Sequence, residues 1–233
     1  MTLFSQPAAA AALSGRSNPL HGDFEGRSLQ CRRGGRDVFA GLDFVLPPGG
    51  ALLLTGPNGS GKSSLLRLMA GLLRPAAGQL LWDGWPIAEA PDAHAARLHY
   101  LGHLDAVKPV LSVVENLRFW AALRGGMDAP ERALEAFALT GLAEVPGRLL
   151  SAGQRRRLAL AHLVAVPAEL WLLDEPSVGL DHASAVRLAA AIAEHRAGGG
   201  RVVVATHTAL DLDDPQRLSL DALAPPPLPE MVW

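Results

Sequence analysis

Cysteine, lysine and long apolar runs are scarce in this chain of 233 residues. Cys31 is the only cysteine, which excludes an intrachain disulfide and a thiolate metal site and favours a reducing compartment; we expect it to fill a small space on a strand. No uninterrupted apolar stretch reaches the roughly 18 residues that a membrane-spanning helix needs, so any membrane role would pass through a partner. The formal net charge of −2 argues against a nucleic-acid-binding surface.

Only two of the 21 basic residues are lysines, and one of them, Lys62, lies in a glycine-rich motif. The motif consists of Gly56, Pro57, Asn58, Gly59, Ser60, Gly61, Lys62, Ser63 and Ser64. Glycines let the backbone curl around an anion, so that successive N–H groups and a helix N-terminus point at phosphates. In such a loop Lys62 would reach the β- and γ-phosphates and Ser63 would offer its hydroxyl to Mg²⁺. A buried strand predicted over 51–55 and an apolar helix predicted over 64–72 favour this phosphate-binding loop over a mere glycine-rich turn.

A pair of carboxylates follows an apolar run further along the chain. Residues 170–173 are predicted to form a buried strand, which places Asp174 and Glu175 at its C-terminal end, where ligands bind in parallel sheets. Asp174 can hold Mg²⁺ and Glu175 can polarise an attacking water; a solvated acidic turn is the alternative interpretation. Residues 201–206 predict a further buried strand, and the alternation of strand-like and helix-like segments indicates a mostly parallel sheet covered by helices.

Residues 150–154 read Leu-Ser-Ala-Gly-Gln and precede the three arginines 155–157. This run resembles the signature of ATP-binding cassette (ABC) proteins, and the order of the motifs over roughly 28–212 is similar to that superfamily. The resemblance implies an α/β fold of the ABC-type P-loop NTPases, with a mixed, mainly parallel core sheet, an antiparallel β part and a helical signature lobe.

The expected domain organisation follows from this resemblance and from the composition of the ends. We expect one ABC ATPase domain over 27–221, with a helical subdomain at about 104–165. The segment 1–26 has no clear targeting pattern and is expected to be a mobile extension. The proline-rich segment 222–233 cannot continue a helix and is expected to be a tail.

The resemblance also assigns roles to the signature and to two later residues. Ser151, the backbone of Gly153 and Gln154 would open a helix and present a hydroxyl, N–H groups and a positive dipole end to an anion. In this superfamily they face the γ-phosphate held by a second subunit, which implies a head-to-tail homodimer enclosing two ATP molecules. Asp181 would link the two sites, and His207 would contact the γ-phosphate and hold the attacking water. The arginines 155–157 are expected to form a solvated helix face.

Two positions depart from the family pattern. His103 stands where the family usually has a glutamine that senses Mg²⁺ and water, and an imidazole can accept a hydrogen bond there only while neutral. Arg33 stands where an aromatic residue usually stacks on the base. A guanidinium can also stack on adenine, although with weak base selectivity; the alternative is a surface arginine in a turn.

The segments 102–109 and 114–120, together with the Leu-Ser-Ala-Gly-Gln run, resemble the ATP-binding subunits of cytochrome c maturation transporters, the haem exporters. This implies a peripheral ATPase on the cytoplasmic face of the inner membrane, docked on integral-membrane permease subunits, that drives haem export or release of a haem-loaded chaperone. The apolar segment 110–123 would provide docking residues or pack inside the lobe.

Three alternative interpretations of the chain are the ATPase of another small ABC exporter, a soluble ABC protein of repair or translation, and a P-loop kinase. The soluble ABC proteins usually join two cassettes or carry long insertions, which this chain does not show. A kinase leaves the signature residues 151–154 without a role.

Overall fold

The computed structural model describes residues 22–102, 104–124, 130–207 and 210–221. The strands are β1 (Phe24–Arg33), β2 (Arg36–Leu46), β3 (Ala51–Thr55), β4 (Ala77–Trp82), β5 (Trp85–Pro86), β6 (Leu98–Leu101), β7 (Leu170–Asp174), β8 (Arg201–Ala205) and β9 (Gln216–Ser219). The α-helices are α1 (Lys62–Met69), α2 (Pro91–Ala96), α3 (Val113–Leu123), α4 (Pro130–Ala136), α5 (Ala152–Ala165) and α6 (His182–Ala197). Within the described ranges, none of the helices has the length and apolar character to cross a membrane.

The strands form two sheets. Five of them pair in parallel in the order β6-β7-β8-β3-β9, and four pair antiparallel in the order β2-β1-β4-β5. The predicted combination of a mainly parallel core sheet and an antiparallel β part is therefore confirmed. In the described part of the chain the core sheet is parallel throughout, because the antiparallel strands form a sheet of their own.

Both faces of the parallel sheet are buried, which explains why its strands read as continuous apolar runs. Along β8, Val202 and Val204 pack in a cluster with α3, α5 and α6, whereas Val203 and Ala205 pack with α1 and the antiparallel sheet. Every residue of β7 and β8 is buried. The predictions of strands at 170–173 and 201–206 are confirmed to within one residue at the C-terminal end.

Helix α1 begins and ends earlier than the predicted range 64–72. Gly61, with φ of 103°, lies at the N-cap, so the helix starts at Lys62 directly after the loop. Gly71, with φ of 71°, follows the last turn, and Leu72 is exposed rather than part of an apolar helix face. Left-handed backbone of this kind favours glycine and ends a helix.

The antiparallel sheet begins inside the segment 1–26 that was expected to be an extension. Phe24 is fully buried and its ring lies 5.4 Å from that of Phe44 and 5.6 Å from that of Trp82. Such aromatic packing holds the start of β1 in the core. Cys31 on the same strand is buried as expected, and burial raises the pKa of its thiol. Residues 1–21 of the expected extension and the whole expected tail 222–233 lie outside the described residues.

Candidate functional site

The glycine-rich loop joins the buried strand β3 to α1 and has the backbone that an anion site requires. Gly56, Gly59 and Gly61 have φ of 139°, 86° and 103°. A Cβ on Gly61 would lie 2.5 Å from Cγ1 of Val38, so both space and conformation require glycine there. Helix α1 has no side-chain cap and no acidic residue in its first turn. Its positive N-terminal end is therefore directed at whatever the loop binds.

Lys62 is held at the centre of this loop. Its side chain is buried, and Nζ donates to the carbonyl oxygens of Gly56 at 2.6 Å and Pro57 at 3.0 Å. Both acceptors are neutral, so these contacts position the ammonium without cancelling its charge. A compact cation of this kind suits a phosphate ligand.

A cavity of about 460 Å³ brings together residues from three separate parts of the sequence. Its lining consists of Arg33, Val38, Asn58, Gly59, Gly61, Lys62, Ser63, Ser64, Arg67, Asp174 and Glu175. The loop, the carboxylate pair and the candidate base-stacking arginine thus share one space, as the sequence predicted. Sequence reasoning missed Val38 and Arg67. Arg67 could have been found, since it lies one helical turn after Ser63.

The donor set at this cavity fits a magnesium ion. Ser63 offers a hydroxyl and Asp174 a carboxylate, and Mg²⁺ prefers oxygen ligands. Over the described residues there is no group of three or more His, Cys, Asp or Glu side chains that could hold a metal.

Glu175 and His207 form a pair beside the cavity. His207 Nδ1 lies 2.8 Å from Oε1 of Glu175, and the backbone N–H of His207 donates to Oε2 at 3.3 Å. The Glu175 side chain is 19% exposed and that of His207 is 56% exposed. With the proton on Nδ1, the imidazole orients the carboxylate while part of the carboxylate stays open to a water. The structure therefore brings together the two residues to which the attacking water was assigned.

The signature residues cap helix α5. Ser151 Oγ accepts from the backbone N–H of Gln154 at 3.2 Å, and Gln154 Oε1 accepts from the backbone N–H of Ser151 at 2.8 Å. This capping box leaves the hydroxyl hydrogen of Ser151 available to donate to an anion. Of the described residues that line the phosphate-loop cavity, none belongs to the signature.

Within one chain, the signature lies instead beside the segment that precedes α6. A Cβ on Gly153 would lie 3.8 Å from the carbonyl oxygen of Gly179. Asp181 caps α6 by accepting from the backbone N–H of Ser184 at 2.8 Å, and hydrogen bonds from Ser184 lower the pKa of its carboxyl. His103 lies outside the described residues.

The prediction that arginines 155–157 form a solvated helix face is wrong for Arg156, whose side chain is 8% exposed. Its guanidinium donates to the carbonyl oxygens of Glu175 and Pro176 and to a carboxylate oxygen of Asp105. The buried residues Leu160 and Leu163 lie four and seven positions later on the same helix. That spacing places Arg156 on the buried face and could have indicated its position.

The apolar segment 110–123 is divided between interior and surface. Val114 and Leu117 are buried, whereas Val110 is 74% and Leu123 is 62% exposed. Phe119 and Trp120 are half-buried and pack edge-to-face with ring centroids 5.4 Å apart. The expected partial exposure is therefore present, chiefly at the two ends of the segment.

Comparison with known proteins agrees with this geometry. Residues 39–178 match the family described as ABC transporter. A Rhodospirillum rubrum protein named cytochrome c biogenesis ATP-binding export protein CcmA is 60% identical over 205 residues, covering 88% of this chain and 88% of the relative. A Paramagnetospirillum magneticum protein of the same name is 59% identical, covering 86% of this chain and 95% of the relative. A solved Pyrococcus furiosus structure described as an ABC transporter ATP-binding protein superposes with a TM-score of 0.77 at 26% identity, covering 87% of this chain and all of that chain.

Proposed function

Because the chain belongs to the ABC transporter family and, within it, to the cytochrome c biogenesis ATP-binding export proteins, we propose that its ATP turnover drives a membrane complex of cytochrome c biogenesis. The chain is an ATP-binding and ATP-hydrolysing subunit. It would lie peripherally on the cytoplasmic face of the inner membrane, bound to integral-membrane permease subunits. The work done would be haem export or release of a haem-loaded chaperone. The names of the relatives support this assignment, and the exposed Val110 and Leu123 offer apolar contacts to a permease.

The loop side of the cavity would bind the nucleotide. Lys62 and the backbone N–H groups at the start of α1 would hold the phosphates. Ser63 and Asp174 would hold Mg²⁺, which neutralises charge on the phosphate oxygens. Arg33, which lines the same cavity, would stack on the adenine.

The observation that carries the proposed chemistry is the Glu175–His207 pair, 2.8 Å apart beside the cavity that contains Lys62. Glu175 would accept the proton of the attacking water, and His207 would keep that carboxylate oriented and contact the γ-phosphate. The Glu175 carboxylate is partly open to solvent, which would let a water reach it. An acceptor for the proton would then lie beside the attacking water.

A second copy of the chain would complete the site. Ser151, Gly153 and Gln154 lie at the N-terminal end of α5, and none of them lines the phosphate-loop cavity of their own chain. In a head-to-tail homodimer, that helix end would cover the γ-phosphate held by the partner. Asp181, next to the signature, would connect the two sites.

The substitution Glu175→Gln tests the catalytic assignment. It should leave ATP affinity unchanged, slow hydrolysis by at least about 100-fold and trap an ATP-bound dimer, because the amide cannot accept the proton. Glu144→Gln is the matched control, since it makes the same change at an exposed position. Hydrolysis by Glu175→Gln at the parent rate would show that Glu175 is not the base.

The transport assignment has a separate test. Co-purification of the chain from membranes with unbiased identification of its partners should recover permease subunits of the cytochrome c biogenesis system. Recovery of another transporter's permease would instead favour the ATPase of a different small ABC exporter. Recovery only of nucleic acid or ribosomal proteins would favour a soluble ABC function.

A further inference from the structure

Arg156 connects three parts of the chain at one buried point. From helix α5, Nη2 donates to the carbonyl oxygen of Glu175 at 2.7 Å and Nε donates to that of Pro176 at 3.3 Å. The third nitrogen, Nη1, lies 3.0 Å from Oδ1 of Asp105. All three nitrogens of the guanidinium therefore donate a hydrogen bond, two of them to the successive carbonyls of Glu175 and Pro176, which we call the catalytic segment. Buried arginines are rarely retained without such complete pairing.

The peptide that Arg156 holds has an unfavourable conformation. Glu175 has φ of 49°, in the left-handed region that residues with a Cβ rarely adopt. Its backbone N–H donates to the carbonyl oxygen of Ala205 at 2.8 Å, so β8 fixes one side of the peptide. On the other side, its carbonyl oxygen accepts from Arg156 and, at 3.3 Å, from the backbone N–H of Val178. Strained backbone of this kind persists only where its surroundings hold it.

The left-handed turn determines where the carboxylate points. With φ of 49° at Glu175, its side chain reaches His207, with which it makes the 2.8 Å contact. A relaxed, extended Glu175 would rotate its side chain out of this position. The bonds at the carbonyl are therefore coupled to the placement of the carboxylate.

Asp105 links this arrangement to the segment that precedes α3. It follows β6 and lies two residues after the position where the family usually has a glutamine. A cavity of about 150 Å³ is lined by residues of this segment, of α5 and of the stretch 175–179, namely Asp105, Ala152, Arg156, Glu175, Val178 and Gly179. The Arg156 guanidinium bonds to Asp105 and to the Glu175 carbonyl and so connects these parts. A shift of α5 or of Asp105 would therefore reach the Glu175 peptide through Arg156.

We infer that Arg156 is a positioning residue for hydrolysis: its guanidinium, oriented by Asp105, holds the Glu175 and Pro176 carbonyls so that the Glu175 carboxylate stays aligned with the attacking water. The inference rests on the proposed role of Glu175 as the base. Arg156 does not touch the nucleotide cavity, so it acts on the reaction through Glu175 and not through ATP binding.

The test measures kcat, KM and ATP affinity for three variants. Arg156→Gln should lower kcat by about 100-fold, the loss expected for a catalytic group misplaced by about 1 Å, and leave ATP affinity unchanged to within about threefold. Arg156→Lys should recover part of kcat, because an ammonium can reach one of the two carbonyls. Asp105→Asn should lower kcat less than Arg156→Gln, since the amide still accepts a hydrogen bond.

Arg157→Gln is the matched control. Arg157 is the next residue of the same helix and also donates to two successive carbonyls, those of Phe137 and Ala138, each at 3.2 Å. Its loss should lower stability without changing kcat by more than about twofold. Urea unfolding of each variant separates folding from catalysis, and Arg156→Lys supplies the kinetic result if Arg156→Gln does not fold.

A merely structural role and a positioning role give different results when Glu175 is absent. In the Glu175→Gln background, Arg156→Gln should change the residual single-turnover rate by less than about twofold, because residues that act as a unit are not additive. The inference would be overturned if Arg156→Gln lowered the single-turnover rate in the Glu175→Gln background as much as it lowers kcat in the parent. It would also be overturned if Arg156→Gln and Arg156→Lys both kept the parent kcat, or if their ATP affinity fell in parallel with kcat. Failure of the proposed function is distinct: it would show as no ATP hydrolysis by the parent chain, or as parent-rate hydrolysis by Glu175→Gln.

Discussion

Acidification from pH 7 to pH 5 should destabilise this protein, because several histidines are buried in their neutral form. Burial lowers the pKa of His99 to about 4, that of His162 to about 3 and that of His195 to about 4. His195 also stacks on Trp171 with ring centroids 4.0 Å apart. His94, whose pKa burial lowers as well, adds in the same direction.

The sign follows from which state binds more protons. A histidine in the unfolded chain has a pKa of about 6.5. Below about pH 6.5 the unfolded chain therefore binds protons that the buried histidines of the folded chain do not bind. The stabilisation is fully present above about pH 6.5 and is lost as the pH falls towards 4. Between these values the three histidines give a slope of up to about 4 kcal/mol per pH unit. From pH 7 to pH 5 each contributes a loss of about 2 kcal/mol, a large share of a typical domain stability of roughly 5–15 kcal/mol.

Urea unfolding followed by tryptophan fluorescence, repeated from pH 5 to pH 8, measures this slope. The variant His162→Gln should reduce the slope by about a quarter to a third, because glutamine does not titrate and one of the four buried histidines is removed. His182→Gln is the control, since His182 is exposed at the start of α6 and its removal should leave the slope unchanged. A free energy of unfolding that stays constant from pH 7 to pH 5, or a slope that His162→Gln leaves intact, would refute the reasoning.

Two predictions concern nucleotide binding. Lys62→Ala removes a charge-assisted contact worth about 1.5–3 kcal/mol, so the Kd for ATP measured by calorimetry should rise by roughly 10- to 150-fold; an unchanged Kd would contradict the phosphate role of the loop. Arg33→Ala should raise the Kd for ATP by about two- to fivefold, because one exposed cation–π contact is lost. Arg36, which is also exposed in the same β-hairpin, provides the control, and Arg36→Ala should leave the Kd unchanged. Equal effects of the two substitutions would show that the adenine binds elsewhere.

The parts of the fold that could be predicted from the sequence are those with an unambiguous physical cause. The strands β3, β7 and β8 are continuous apolar runs because both faces of their sheet are buried. The ends of α1 could not be placed exactly, because an apolar pattern does not show that Gly61 lets the helix start directly at Lys62. The burial of Phe24 was missed because part of its cover, Trp82, lies on β4, a strand distant in sequence from β1.

The site residues that could be predicted from the sequence are those that stand directly beside a strand or a helix. The phosphate loop, Asp174, Glu175 and His207 each follow a strand or precede a helix, and parallel strands bring such positions to one edge of a sheet. Arg156 was interpreted as solvated because a run of three arginines usually is. Its burial depends on carbonyls of Glu175 and Pro176 that only the left-handed turn presents to it. That turn has no signal in the local sequence, since glutamate rarely adopts it.

Mixing two inactive variants tests most directly the central claim, that each ATP site is shared by two copies of the chain. Lys62→Ala disables the loop side of a site. Ser151→Asp disables the signature side by repelling the γ-phosphate, while aspartate still caps helix α5. In a mixed dimer, one site combines both defects and the other combines two intact halves.

An equal mixture of Lys62→Ala and Ser151→Asp should therefore recover ATP hydrolysis up to about a quarter of the parent rate, because half of the dimers are mixed and each has one intact site. Each variant alone should remain inactive at the same total concentration. A mixture as inactive as its two components, although both variants fold and associate, would contradict the shared site.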